Sequence, residues 1–153
     1  MFCSKKHLYI CVFKYCISLL KSVSKIFHIS EAATIAIHSM AMIARSNHLL
    51  NVQQVAEMTG FSRNHTAKVL QQLVKNQFLL STRGPRGGFW LGKKAEDITL
   101  MDIYRIIEGD LEESNCKLDC ANCPFNSCIF GGLDRKFSDE FRKYMNEKNL
   151  AAI

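Results

Sequence analysis

The sequence predicts a mainly α-helical fold with a small β-hairpin wing: a winged helix-turn-helix followed by a long C-terminal helix. Three observations predict it. Between Asn51 and Asn76 two helical patterns are joined by a turn of a few residues at Gly60. A hairpin pattern, Phe78 to Leu91, comes directly after the second helix. Near the C-terminus Leu133, Phe137, Phe141 and Tyr144 with Met145 recur every three to four residues, one apolar stripe on a charged helix.

The chain has 153 residues, which fits one domain or a compact domain with an appended element. Its apolar content of 48% is enough for a core, and its charged content of 22% is ordinary for a soluble protein. The formal net charge of +6 favours a polyanion partner. There are 7 cysteines, an odd number, whereas a secreted disulfide framework shows an even count and a cleavable leader. A dense cysteine cluster fits metal binding in a reducing cytosol, so a cytoplasmic location is expected.

Residues 1–24 differ in character from the rest of the chain. Leu8 to Leu20 is apolar but broken by Lys14 and Tyr15, too short and interrupted for a membrane span, which needs about 20 apolar residues. Lys5, Lys6 and His7 resemble the basic start of a signal peptide, but no small-x-small cleavage site comes after them. Two readings stay open: a genuine extension, or translation from an alternative start codon at Val23. Intact mass of the native protein separates them. Under the second, Cys3, Cys11 and Cys16 are not functional.

Ser30 to Ala44 reads as a helix, capped by Ser30 with Glu31 in its first turn. His38 lies on it and reads first as an ordinary packed or surface histidine. Asn51 to Gln54 has the form of a capping box. Val52, Val55 and Ala56 give that helix its apolar face, and Gly60 ends it in the left-handed conformation. Phe61 plugs the turn and Ser62 caps the next helix, Arg63 to Asn76. Thr66, Leu70, Leu73 and Val74 form its inner stripe. Asn64, Lys68, Gln71 and Lys75 lie opposite. A solvated face looks similar, but no acid occurs from Ser62 to Ser81, which suits an approach to phosphates and base edges.

Phe78 to Arg83 reads as a strand, Gly84 to Gly88 as a turn and Phe89 to Leu91 as the returning strand. Arg83 and Arg86 sit beside and at the tip, where guanidinium groups can reach phosphates or a minor groove. The glycines lack the spacing and the βαβ context of a nucleotide-phosphate loop. Thr99 to Asp102 is a second capping box, opening a helix that runs to Glu108 and closes at Gly109. Leu100, Ile103, Tyr104 and Ile107 form its apolar face. An acidic linker, Gly109 to Ser114, comes after it.

Next come Cys116, Cys120, Cys123 and Cys128, spaced C-x3-C-x2-C-x4-C. Such short loops let thiolates converge on one metal centre. Zinc prefers two close C-x2-C pairs, and only Cys120 and Cys123 form one. An iron–sulfur cluster accepts irregular spacing, and a disulfide can form under oxidation. Spacing alone leaves cluster and zinc equal. The last helix, Ile129 to about Lys148, must bury its stripe against its own domain or a second copy, and a homodimer through this helix is favoured. The chain divides into an extension of doubtful status (1–24), a winged helix-turn-helix DNA-binding part (25–109), a cysteine-rich cluster-binding loop (110–128), and a dimerisation helix with its tail (129–153).

From about Lys25 onward the chain resembles the Rrf-type winged-helix transcription regulators. The most specific stretch is Arg83 to Gly92, similar to that family's wing. Phe61-Ser62 and Ile98 to Gly109 are the next most similar. The resemblance implies a homodimer on near-palindromic double-stranded DNA, with Ser62, Asn64, His65, Lys68 and Arg83 in contact. The full candidate DNA-binding set is Ser62, Arg63, Asn64, His65, Lys68, Gln71, Arg83 and Arg86. It also implies a 2Fe-2S or 4Fe-4S cluster, with Cys116 first and Cys128 last among its ligands and Cys123 or Cys120 between. Relatives complete the set with a histidine where Gly131 stands here, or with a first-helix acid where Thr34 stands. Cys120 is the natural replacement and His38 the outside candidate.

Together with these residues, the resemblance implies a DNA-binding regulator, of repressor type, whose operator affinity depends on redox, iron–sulfur status or nitric oxide. A zinc-stapled regulator without sensing and an electron-transfer module are the alternatives. No Ser-His-Asp or Cys-His set supports an enzyme.

Overall fold

Most helices here begin where a side chain can take up their first free amides. The computed structural model describes residues 29–84, 86–111, 125 and 129–153. Helix α1 (Glu31–Ala44) starts at Ser30, whose Oγ accepts the Ala33 amide at 3.0 Å. Helix α2 (Val52–Thr59) opens on the expected capping box: Asn51 Oδ1 accepts the Gln54 amide and Gln54 Oε1 the Asn51 amide, both at 2.9 Å. It ends at Gly60, whose φ of +75° only glycine adopts without strain. Helix α3 (Arg63–Lys75) begins three residues later, its His65 amide bonded to Ser62 Oγ at 3.2 Å.

The end of α3 differs from the expectation. Gln77 takes a left-handed φ of +63°, the Phe78 amide reaches back to the Leu73 carbonyl at 3.0 Å, and the Gln77 amide to that of Val74 at 3.0 Å. This is a Schellman cap with glutamine in the glycine position. Phe78 therefore finishes the helix rather than opening the strand, and β1 runs only from Leu79 to Thr82. Strand β2 (Gly88–Leu91) returns antiparallel, with Leu79 opposite Leu91 and Thr82 opposite Gly88. Arg83 falls in the turn, where the Gly87 amide bonds the Gly84 carbonyl at 2.9 Å.

The hairpin is stitched to the chain before α2. The Phe89 amide donates to the Leu50 carbonyl at 2.9 Å, and a Cβ on Gly88 would stand 2.9 Å from that oxygen. Beyond a single 3₁₀ turn at Ala95–Asp97, helix α4 (Leu100–Glu108) opens on the second capping box, Thr99 Oγ1 accepting the Asp102 amide at 3.1 Å and Asp102 the Thr99 amide at 2.9 Å. Its apolar face includes Leu100 and Ile103 as expected, but also Met101 and the preceding Ile98, all buried.

Helix α1 is central. It packs on α3 and α4, and more lightly on α2 and β2. Ile35, Met40, Leu70, Leu73, Leu79, Ile98 and Ile103 form the fully buried centre. Each such side chain stabilises the fold by roughly 1.5–3 kcal/mol relative to exposure.

Helix α5 (Leu133–Glu147) starts later than the expected Ile129. Gly131 and Gly132 stand immediately before it with φ of +58° and +71°, left-handed geometry that interrupts a right-handed helix. Its stripe also splits. Met145 is buried and Phe141 packs against the core, while Leu133 and Phe137 are each 48% exposed and Tyr144 54%. The tail then returns to the start of α4: Lys148 accepts the Leu100 amide at 2.9 Å, the Leu150 amide reaches Ile98 at 3.0 Å, and Leu150 joins the core. No helix among the described residues is long and apolar enough to cross a membrane.

Candidate nucleic-acid interface

The turn at Gly60 presents the first turn of α3 outward. Ser62, Arg63 and Asn64 are exposed there, and Lys68, Gln71 and Lys75 continue the exposed face at helical spacing. Thr66, Leu70 and Leu73 are fully buried and hold the opposite face on the core, with Val69 beside them. His65 lies between the two faces. Its Nδ1 is 3.8 Å from Glu31 Oε2, a contact that becomes an ion pair when the ring is protonated.

The hairpin continues this surface. Arg83 and Arg86 are exposed at the tip, and neither has an acidic partner within 4.0 Å among the described residues. Lys93 lies over the ring of Phe78, 4.0 Å from its centroid. The acid-free stretch is longer than the helix alone suggests. From Phe61 to Ala95 there are 7 lysines and arginines and no aspartate or glutamate. Exposed cations in a stretch of chain without acids form a surface suited to a phosphate backbone, while the amides and hydroxyls at the start of α3 suit base edges.

The second candidate site lies mostly out of view. Cys116, Cys120, Cys123 and Cys128, like Pro85 and residues 1–24, fall outside the described residues. His38 is described, and its Nδ1 lies 2.7 Å from the Thr34 carbonyl, the local bond of an ordinary helical histidine. The chain enters the cysteine stretch from the end of α4. Arg105 Nε pairs with Asp110 Oδ1 at 2.9 Å there, and the Gly109 amide closes on the Arg105 carbonyl at 2.9 Å.

That α4 end carries contacts sequence reasoning did not find. Gln72 Nε2 donates to the Ile106 carbonyl at 2.6 Å, and Ser30 Oγ donates to Glu108 Oε1. Both join residues far apart in sequence, and no local pattern signals either. Tyr104 is held as a neutral phenol: burial first, then the Glu108 charge, push it above its ordinary 10.0.

A capped helix-turn-helix, a cationic hairpin and an acid-free face make up a winged helix-turn-helix of the transcriptional-regulator class. The chain belongs to the Rrf2 family, whose model, described as "Iron-dependent Transcriptional regulator", matches residues 29–153. The HTH-type transcriptional regulator NsrR of Bacillus licheniformis is 34% identical over 88 residues, 58% of this chain and 59% of that relative, so the match spans less than two thirds of its length. Among solved structures, CymR, the global cysteine regulator of B. subtilis, superposes with a TM-score of 0.67 at 20% identity, over 82% of this chain and 95% of that one. IscR of T. potens gives 0.64 at 21% identity, over 82% and 85%. At these identities the two structures speak for the fold.

Proposed function

We propose that this Rrf2-family regulator is a cytoplasmic homodimeric repressor whose operator affinity is set by an iron–sulfur cluster on Cys116, Cys120, Cys123 and Cys128. The observation that carries the reading is positional. The stretch holding four thiols within thirteen residues begins eight residues after Glu108, the end of α4, and the last turn of α4 is bonded to α3. Four thiolates are a soft donor set that fits iron–sulfur or zinc chemistry. The family description supports iron, and NsrR and IscR stand among the similar proteins. The CymR likeness is a reminder that this fold also serves a regulator of cysteine.

Held by Cys116, Cys120, Cys123 and Cys128, such a cluster would supply redox- and nitric-oxide-sensitive chemistry to residues 110–128. The chain's own residues do the rest. Ser62, Arg63, Asn64, His65, Lys68 and Gln71 meet the major groove and its phosphates, and Arg83 and Arg86 reach the flanking backbone or minor groove. The exposed Leu133, Phe137 and Tyr144 of α5 cover the same residues of a second copy, which places two recognition helices on a near-palindromic site. Residues 25–109 thus read DNA, 110–128 sense, and 129–153 pair. Sensing requires a difference in operator affinity between the two states.

The test is anaerobic purification with iron, sulfide and zinc analysis and an absorbance spectrum before and after air, then operator binding in both states. Iron with sulfide, visible bands that bleach in air, and a state-dependent affinity are expected. Cys128→Ala should bind equally whatever the redox condition. Stoichiometric zinc without colour would remove the cluster while leaving DNA binding intact. A Cys128→Ala protein that still responds to redox state as wild type does would overturn the assignment of that ligand.

A further inference from the structure

We infer that the last turn of α4 is a clamp on the recognition helix, with Gln72 and Ser30 as its positioning residues, so that a change in the cysteine stretch is carried to α3. The inference deepens the proposed sensing role and rests on it. Three contacts make the clamp. Gln72 Nε2 bonds the Ile106 carbonyl at 2.6 Å. That carbonyl is among the last four of α4, which have no partner within their own helix, so the glutamine fills a vacancy the helix itself leaves. Ser30 Oγ donates to Glu108 while accepting the Ala33 amide at 3.0 Å, so the cap of α1 is tied to the same turn. Next to Ser30, Glu31 reaches His65 at 3.8 Å.

The helix geometry closes the circuit. His65 and Gln72 are seven residues apart, nearly two full turns, so they share one side of α3. That side adjoins the exposed face of Asn64, Lys68 and Gln71, with His65 at its border and Gln72 outside it. The recognition helix is thus bonded at its third turn to α4, α1 is bonded to the same α4 turn, and α1 packs on α3 with Glu31 beside its first turn. Cys116 lies only eight residues beyond Glu108. A shift of the α4 end changes the Ile106 and Glu108 contacts together, and both lead to α3. These polar links lie at the surface, where one such hydrogen bond biases an equilibrium by roughly three- to tenfold. That is within the roughly 5- to 150-fold range of allosteric couplings.

The test uses the full chain and an operator duplex selected by the wild-type protein from a random library. Operator affinity is measured for iron-loaded and metal-free protein in wild type, Gln72→Met and Gln72→Lys. Methionine keeps the length and removes the donor, whereas lysine keeps a donor. The ratio of the two affinities cancels the uniform effect of the added charge. Gln72→Met should bring the ratio about three- to tenfold closer to one, Gln72→Lys should keep it, and both should melt within a few degrees of wild type. A Gln72→Met protein with the wild-type ratio would overturn the clamp. If wild type shows no difference between its two forms, the sensing reading fails by itself, and the metal-free protein decides the clamp. Gln72→Met must then lose at least about threefold in affinity for the operator relative to a non-operator duplex, with Gln72→Lys restoring it. Unchanged discrimination in Gln72→Met overturns it.

Discussion

Tyr104 and Phe141 meet edge to face, ring centroids 5.4 Å apart and planes at 75°, and this pair docks α5 on α4. It joins the helix before the cysteine stretch to the helix after it. An aromatic pair in this geometry contributes about 0.5–1.5 kcal/mol beyond the area it buries. Phe141→Ala should lower unfolding free energy by about 2–3 kcal/mol, less than a fully buried phenylalanine because Phe141 is half-buried. Denaturant unfolding checks it, and a change under about 0.5 kcal/mol would show that α5 is not anchored by this contact.

The raised phenol of Tyr104 has a consequence at alkaline pH. Its folded value lies above the ordinary 10.0 while the unfolded value does not, so its stabilisation is present below pH 10 and is lost as pH rises through the folded value. Wild type should therefore lose unfolding midpoint faster than Tyr104→Phe between about pH 9 and about pH 11. Parallel curves would contradict the assignment.

Gln77 occupies a left-handed position that suits glycine, with φ of +63°. The conformation costs a side-chain-bearing residue roughly 1–2 kcal/mol. Glycine's extra freedom in the unfolded chain offsets roughly 0.4–1 kcal/mol of that. Relief of strain wins, and Gln77→Gly should stabilise by about 0.5–1 kcal/mol. Thermal unfolding reads this as a higher midpoint, and a lower one would mean that the glutamine side chain makes a stabilising contact.

The wing arginines give a salt-dependence prediction. Arg83→Ala should weaken binding to operator and reduce the slope of log affinity against log salt by about one, as loss of one phosphate contact does. Arg86→Ala should do the same without changing base preference. Titrations at several salt concentrations test both, and a wild-type slope in either would place that arginine off the DNA.

The exposed half of α5 predicts association. Phe137 is 48% exposed on the same face as Leu133 and Tyr144. Phe137→Asp should shift the protein from dimer to monomer in sedimentation and weaken operator binding by at least about tenfold, while its unfolding stays within about 0.5 kcal/mol of the wild-type protomer. A dimer that survives the substitution would put the interface elsewhere.

Several features were legible in the chain because they are local. The capping boxes at Asn51 and Thr99 specify their helices through residues three apart, and Gly60 ends α2 through its own backbone freedom. The acid-free face of α3 needed only helical spacing. The expected strand start at Phe78 was displaced because a Schellman cap in glutamine hides the signal that glycine would have given.

By itself, then, the sequence determined the order of helices, turn and wing, the candidate DNA-reading face, and the four-cysteine stretch, because caps, periodicity and spacing are interactions between near neighbours. Tertiary structure decided the rest. It divided the α5 stripe into a buried end at Met145 and an exposed end at Phe137, brought Leu150 back onto Ile98, and set Gln72 on Ile106 and Ser30 on Glu108. These partners are 34 to 78 residues apart in the polar pairs. Their meeting depends on how α1, α3 and α4 pack around one core, and packing is a property of surfaces that no local pattern encodes.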